Sequence, residues 1–91
     1  MFDLTDKIAV ITGAGRGIGL AMAQSFAEAG AKVAVVSRTE ANSSKVAALI
    51  NESHPDAAKA YAVDIADSAA VAEMGKTVLA DFGRVDILIN N

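Results

Sequence analysis

Four short apolar segments rich in β-branched residues alternate with longer segments of helical periodicity, and this alternation constrains the fold more than any other feature. The apolar segments have the length expected of strands that are buried on both faces. They lie at residues 7–12, 31–37, 59–63 and 85–90, and the helical segments lie at 18–29, 40–52 and 67–82. The resulting order βαβαβαβ predicts an α/β fold, a doubly wound parallel sheet with helices on both faces.

The segment that joins the first strand to the first helix is rich in glycine and reads TGAGRGIG over residues 12–19. Its glycines are Gly13, Gly15, Gly17 and Gly19. Glycines between a strand and a helix allow a tight turn in which backbone N–H groups approach a phosphate, and the helix N-terminus adds unpaired donors. The pattern therefore predicts binding of a diphosphate, the pyrophosphate of NAD(P). A tight turn without a ligand is the alternative, which four glycines in this position disfavour.

The spacing of these glycines follows T-G-x-x-x-G-x-G and not the G-x-G-x-x-G fingerprint. With this spacing, with VDI at residues 63–65 and with VDILINN at residues 85–91, the chain resembles the short-chain dehydrogenases/reductases over nearly its whole length. The resemblance implies a Rossmann-type sheet of order 3-2-1-4. It also implies that Asp64 meets the adenine amino group, that Asn91 approaches the cofactor as part of an N-N-A-G motif, and that Ile18 and Ile65 belong to the same site.

The residues after the second strand bear on the choice between NAD(H) and NADP(H). A site for NAD usually has an acidic residue about 20 positions after the glycine loop, where it binds the ribose 2′-hydroxyl. This chain has Ser37-Arg38-Thr39 instead. Arg38 can pair with a 2′-phosphate, Ser37 can donate to it, and Arg16 in the glycine loop could reach it. We therefore predict NADP(H), with NAD(H) as the second choice; a solvated loop charge is the alternative for each arginine.

Charge and composition exclude several other classes of function. The formal net charge is −3 and no basic run is present, so nucleic acid and anionic membranes are not expected as partners. The absence of cysteine excludes disulfides and thiolate metal sites, and the single histidine makes a metal site improbable on chemical grounds. Neither a secretory signal nor an apolar span of membrane length is present, so we expect a cytoplasmic protein.

No catalytic residue is expected in these 91 residues, which we interpret as the N-terminal part of a single dinucleotide-binding domain. The resemblance implies carbonyl–alcohol interconversion by hydride transfer, with a Ser, a Tyr and a Lys supplied by a second half of the domain. Tyr61 has isoleucine four residues later, so it is not the tyrosine of a Tyr-x-x-x-Lys pair.

Three interpretations remain open: a portion of a longer reductase, which we favour, a non-catalytic nucleotide-binding module, and a half-enzyme completed by a second chain. Within these 91 residues the outer edge of the fourth strand is expected to be bare, and an apolar edge of that kind invites pairing or aggregation. The resemblance also implies a homo-oligomer for the full-length protein. It leaves the substrate open between 3-oxoacyl thioesters and sugars or polyols.

Overall fold

The computed structural model describes residues 3–14 and 17–91, which form four strands and three helices in the predicted order. The strands are β1 Ile8–Thr12, β2 Lys32–Ser37, β3 Ala58–Ala62 and β4 Ile87–Asn90, and the helices are α1 Gly17–Glu28, α2 Glu40–Ser53 and α3 Ser68–Phe82. The strands form one sheet of order β3-β2-β1-β4, and every pair is parallel. The predicted α/β class, helix and strand order, and sheet order are therefore confirmed.

The helices begin and end at residues whose chemistry explains the boundary. Thr39 caps α2, accepting the N–H of Asn42, and Asp67 caps α3, accepting the N–H of Ala70. Gly83 ends α3 in the left-handed conformation, at φ +87°, which a glycine adopts without steric cost. Most predicted boundaries are correct to within one residue.

The fourth strand begins at Ile87, two residues later than predicted. The difference arises at Asp86, which meets Ile8 through both its backbone and its side chain. The N–H of Asp86 donates to the Ile8 carbonyl, and the Asp86 carboxylate accepts the Ile8 N–H, each at 2.9 Å. The Asp86 side chain thus takes the place of a backbone acceptor at the start of the β1–β4 hydrogen-bond ladder, and the regular strand begins after it.

The two faces of the sheet carry separate hydrophobic clusters. The face under α1 and α2 buries the larger cluster, which includes Ile11, Val33, Val35, Val46 and Ile50. The opposite face, under α3 alone, buries Val10, Ala34, Val36, Val63 and Val78. The alternation of Val10 and Ile11 between the two clusters is the period of two that a parallel strand imposes on a continuous apolar run.

One helix does not cover the second face completely. An apolar groove of about 520 Å³ lies between α3 and β4, lined in part by Met74, Gly75, Val85 and Leu88. Leu88 is 65% exposed, and within the part of the chain that the structure describes β4 pairs only with β1. The predicted bare edge is therefore present. No helix in residues 3–14 and 17–91 is long and apolar enough to span a membrane.

Candidate functional site

A cleft of about 360 Å³ lies at the carboxyl end of the sheet, where all four strands terminate. Its lining comes from the last two residues of β2 and from the segments that follow the four strands: Gly13, Val36, Ser37, Arg38, Val63, Asp64, Ile65, Ala66 and Asn91. In open parallel sheets ligands bind at this end, next to the point where the strand order reverses. Here the order reverses at β1, which has β2 on one side and β4 on the other.

The glycine loop enters this cleft through Gly13. Gly13 and Gly17 have φ values of +65° and +64°, in the left-handed region that favours glycine. A Cβ atom on Gly13 would lie 3.1 Å from the Asn91 carbonyl oxygen, so the loop passes close to the end of β4. Gly15 and Arg16 lie outside the described residues.

Gly19 is buried beneath the loop and tolerates no side chain. A Cβ atom there would overlap the Gly13 carbonyl oxygen, and it would lie 2.8 Å from the Asn91 side-chain nitrogen and 2.9 Å from the Ala14 Cα. Gly19 therefore acts as a packing position that lets the first turn of α1 approach the loop and the end of β4. Ile18 beside it is 72% exposed.

The first turn of α1 contains no acidic residue. The same holds for the first turn of α3, although Asp67 caps that helix, whereas α2 has Glu40 in its first turn. The first backbone N–H groups of a helix have no partner within the helix and carry a partial positive charge. The beginning of α1 is therefore suited to an anion.

Thr12 connects the end of β1 to the end of β4. Its hydroxyl accepts the Asn91 N–H at 3.2 Å, and its hydrogen has two acceptors within reach, the Asn90 side-chain oxygen at 3.0 Å and the Ile89 carbonyl at 3.3 Å. The Asn91 side-chain amide donates to the Gly13 carbonyl at 3.4 Å. Thr12 and Asn90 thus hold Gly13 and Asn91 together.

No site role was predicted for Thr12 or Asn90. Thr12 is the first residue of the T-G-x-x-x-G-x-G pattern, and Asn90 is the first asparagine of the pair at the end of β4. Both residues therefore belong to recognised patterns, but the contact between them depends on the β1–β4 register, which pairs Thr12 with Asn90.

Ser37 is the last residue of β2 and Arg38 follows it, and both residues line the cleft. The hydroxyl of Ser37 donates to the Thr39 carbonyl at 2.6 Å, which uses its one hydrogen. In this conformation only the oxygen lone pairs of Ser37 remain for a ligand, and its assignment as a donor to phosphate stays a prediction. Arg38, in contrast, has a side chain that is 82% exposed.

Asp64 and Ile65 follow β3 on the other side of the cleft. One Asp64 oxygen accepts the Ala66 N–H at 3.0 Å, and the other lies 4.0 Å from an Arg38 guanidinium nitrogen. Ile65 is 61% exposed, so it presents an apolar side chain to the cleft. The structure thus brings together Gly13, Ser37, Arg38, Asp64, Ile65 and Asn91, while Gly17, Ile18 and Gly19 do not line the cleft itself.

Tyr61 lies outside the cleft on β3 and donates to the Asp81 carboxylate at 2.6 Å. Partial burial, followed by the hydrogen bond and the negative charge of Asp81, raises the pKa of the Tyr61 hydroxyl above its ordinary value. A tyrosine that acts as a proton acceptor near neutral pH needs the opposite shift. Tyr61 is therefore unsuited to that role.

Comparison with known proteins agrees with this geometry. The family model described as short chain dehydrogenase matches residues 7–91. The chain belongs to the short-chain dehydrogenase family. Galactitol 2-dehydrogenase of Agrobacterium fabrum, a relative within this family, is 46% identical over 88 residues, which are 97% of this chain and 33% of that protein.

Solved structures of short-chain dehydrogenases have the same fold. The 3-ketoacyl-(acyl-carrier-protein) reductase of Brucella melitensis, complexed with NADH, has a TM-score of 0.87 at 46% identity and matches 94% of this chain and 34% of its own. The L-sorbose reductase of Gluconobacter frateurii, complexed with NADPH and L-sorbose, has a TM-score of 0.91 at 37% identity and matches 98% and 34%. This chain thus spans about a third of the length of these relatives.

Proposed function

We propose that this chain is the dinucleotide-binding part of an NADP(H)-dependent oxidoreductase that interconverts a carbonyl and an alcohol by hydride transfer. The observation that carries the proposal is the single cleft in which Gly13, Arg38, Asp64 and Asn91 meet. When bound, the nicotinamide ring supplies or accepts the hydride. The residues of this chain bind and orient the dinucleotide.

The pyrophosphate is assigned to the glycine loop and the beginning of α1. Gly13 and Gly17 have left-handed backbones and add no side chain to the loop, and the first turn of α1 contains no carboxylate that would repel an anion. Gly15 and Arg16 are proposed for the same segment on the sequence pattern alone. Ile18 would cover the dinucleotide from the loop side, since its side chain is exposed.

The adenosine end is assigned to the segments after β2 and β3. Asp64 would accept a hydrogen bond from the adenine amino group and Ile65 would contact the adenine ring, because both residues line the cleft. Arg38 would bind the 2′-phosphate, since it follows β2 where NAD-specific sites have an acid. Ser37 would face the ribose with its oxygen, while Asn91 would lie toward the nicotinamide half.

Titration of the full-length natural protein with NADPH and with NADH tests this assignment. We expect tighter binding of NADPH than of NADH. Arg38→Asp should weaken NADPH binding about 100-fold, or ~2.7 kcal/mol, because a repulsive charge replaces a phosphate ligand, and it should change NADH binding little. Lys45→Asp makes the same change of charge on the exposed side of α2 and should leave both affinities unaltered. Equal or tighter binding of NADH by the unaltered protein would contradict the proposal.

Catalysis is proposed to require polypeptide beyond these residues, as a C-terminal half of the same protein or as a complementary chain. The bare edge of β4 and the groove beside Leu88 support this, since both leave apolar surface for a further layer. The full-length protein is proposed to be a homo-oligomer, which light scattering tests. A non-catalytic nucleotide-binding module is the alternative, because these 91 residues contain no Tyr-x-x-x-Lys pair.

The substrate is proposed to be a sugar or polyol, or a 3-oxoacyl thioester, as the names of the relatives suggest. Oxidation of NADPH would be followed through the loss of absorbance of the reduced nicotinamide, with L-sorbose and with a 3-oxoacyl thioester as substrates. Turnover of only one of these two compounds would assign the class of substrate. Tight NADPH binding without turnover of any carbonyl substrate would favour the non-catalytic module.

A further inference from the structure

Asp64 and Arg38 are the charged pair of the cleft, and they reach it from neighbouring strands. Ser37 at the end of β2 pairs with Ala62 at the end of β3, so Arg38, one residue after β2, and Asp64, two residues after β3, leave neighbouring strand ends. The Asp64 carboxylate lies 4.0 Å from the Arg38 guanidinium. The other described lining residues are uncharged, so the negative charge of Asp64 balances the positive charge of Arg38 within the cleft.

We infer that Asp64 determines cofactor specificity by restraining the preference of the cleft for a 2′-phosphate. This inference rests on the proposed function, in which Arg38 binds that phosphate and Asp64 meets the adenine. The carboxylate would compete with the phosphate for the same guanidinium and would repel the phosphate charge. Both effects act on a dinucleotide that carries the 2′-phosphate and are absent from one that carries a 2′-hydroxyl.

The exposure of the pair sets the expected size of the effect. The Arg38 and Asp64 side chains are 82% and 51% exposed, so water and salt screen their attraction and Arg38 is able to leave Asp64. The restraint is therefore moderate. We expect removal of the carboxylate charge to raise the preference for NADP⁺ over NAD⁺ roughly three- to tenfold at low ionic strength.

Asp64→Asn removes the charge and keeps the shape of the side chain. The oxygen that accepts the Ala66 N–H is retained in asparagine, so the loop after β3 keeps its hydrogen bond. Loss of an adenine contact would weaken NADP⁺ and NAD⁺ equally, because both contain the same adenine. The ratio of the two dissociation constants therefore isolates the effect on the 2′-phosphate.

The experiment measures dissociation constants of NADP⁺ and NAD⁺ by calorimetry for the natural protein, Asp64→Asn, Arg38→Gln and the double variant. Glu52→Gln, which removes an exposed carboxylate at the far end of α2, controls for net charge. We expect Asp64→Asn to raise the NADP⁺ preference, Glu52→Gln to leave it unchanged, and the gain to become smaller in the Arg38→Gln background, where only the direct repulsion between Asp64 and the phosphate remains. The gain should also shrink as salt is raised above about 0.1 M.

Two kinds of failure are distinguishable. If Arg38→Gln abolishes the NADP⁺ preference while Asp64→Asn leaves it unaltered or lowers it, the proposed function stands and the inference is overturned. If Arg38→Gln leaves the preference unaltered, the assignment of Arg38 to the 2′-phosphate fails, and the inference fails with it. Circular dichroism of each variant verifies that a change in affinity reflects the cleft and not the fold.

Discussion

The two ends of the sheet use their polar side chains differently. At the amino end the Asp86 carboxylate accepts the Ile8 N–H and the Arg84 Nε–H, each at 2.9 Å, and Arg84 also donates to the Asp6 carbonyl at 2.7 Å. At the carboxyl end the charged residues Arg38 and Asp64 are separated by 4.0 Å and mostly exposed.

The amino end is thus a closed network in which the charged groups bind the protein itself. The carboxyl end holds its backbone in place through Thr12 but leaves its charges available to a ligand. Changes at the amino end should therefore alter stability alone, whereas changes at the carboxyl end should alter dinucleotide binding.

The largest effect is expected for Gly19→Ala. Its Cβ would overlap the Gly13 carbonyl and approach Asn91, so the loop, the start of α1 or the end of β4 must shift. We expect a loss of NADPH affinity of about 100-fold, or ~2.7 kcal/mol, and a loss of about 1–3 kcal/mol in the free energy of unfolding. Calorimetric titration and urea unfolding measure the two quantities.

Gly75→Ala is the matched control, since nothing lies within 4 Å of the added methyl group and Gly75 does not line the cleft. Its NADPH affinity should stay within about twofold of the natural protein. Natural affinity in Gly19→Ala would show that the close packing of α1 against the loop does not matter for binding.

A smaller effect is expected for Thr12→Val, which removes the hydroxyl that joins β1 to β4. The Asn91 N–H and the Asn90 side chain lose their partner, so we expect a loss of about 1–2 kcal/mol in the free energy of unfolding. NADPH affinity should fall about tenfold, because Asn91 and Gly13 are no longer held together.

Thr12→Ser should restore most of both losses because it keeps the hydroxyl. Thr77→Val removes an exposed hydroxyl that donates to the Glu73 carbonyl in α3, and it should leave NADPH affinity unchanged. A Thr12→Val protein with full affinity would mean that the hydrogen bonds at the ends of β1 and β4 are not needed to form the cleft.

The smallest effect on binding is expected at the amino end, where Asp86→Asn should lower stability and leave NADPH affinity unaltered. The Ile8 N–H, then Arg84, lower the pKa of the Asp86 carboxyl below its usual value. Because the pKa of this carboxyl is lower in the folded state than in the unfolded state, its ionised form stabilises the fold. This contribution is complete at pH values above the unfolded-state pKa of 3.8, and it is lost as the pH falls through the folded-state pKa.

Urea unfolding between about pH 6 and about pH 2 should therefore show an acid-induced loss of stability that is smaller in Asp86→Asn than in the natural protein. The control is Glu52→Gln, which removes an exposed carboxylate outside this network. This variant should show the same acid-induced loss of stability as the natural protein. If Asp86→Asn weakens NADPH binding as much as Thr12→Val does, the two ends of the sheet are not separate in function.

Local signals in the sequence predicted most of the fold. The continuous apolar runs at β1 and β2 and the glycine-rich segment between β1 and α1 identify their elements without reference to the rest of the chain. The start of β4 was misjudged because Val85 fits a strand locally, while the side chain of Asp86 takes the place of a backbone partner. Sequence periodicity cannot detect such a substitution.

The candidate site was predicted less completely than the fold. Arg38 and Asp64 were identified separately, but their approach to each other depends on the β2–β3 register. The assignment of Ser37 as a phosphate donor stays a prediction, but its hydroxyl has a different acceptor in this structure, because the turn after β2 brings the Thr39 carbonyl within 2.6 Å of it. Residue type alone does not reveal which acceptor a hydroxyl has.

The sequence by itself determined the α/β class and the glycine loop, because these follow from local periodicity and from backbone conformations that favour glycine. The strand order followed from the resemblance to the short-chain dehydrogenases/reductases. Only the tertiary structure decided that Thr12 joins Asn90 and Asn91, that Gly19 supports Gly13, and that Asp64 faces Arg38. The reason is that each of these contacts joins segments on different elements. Their distances depend on strand register and helix packing, which the whole chain sets together.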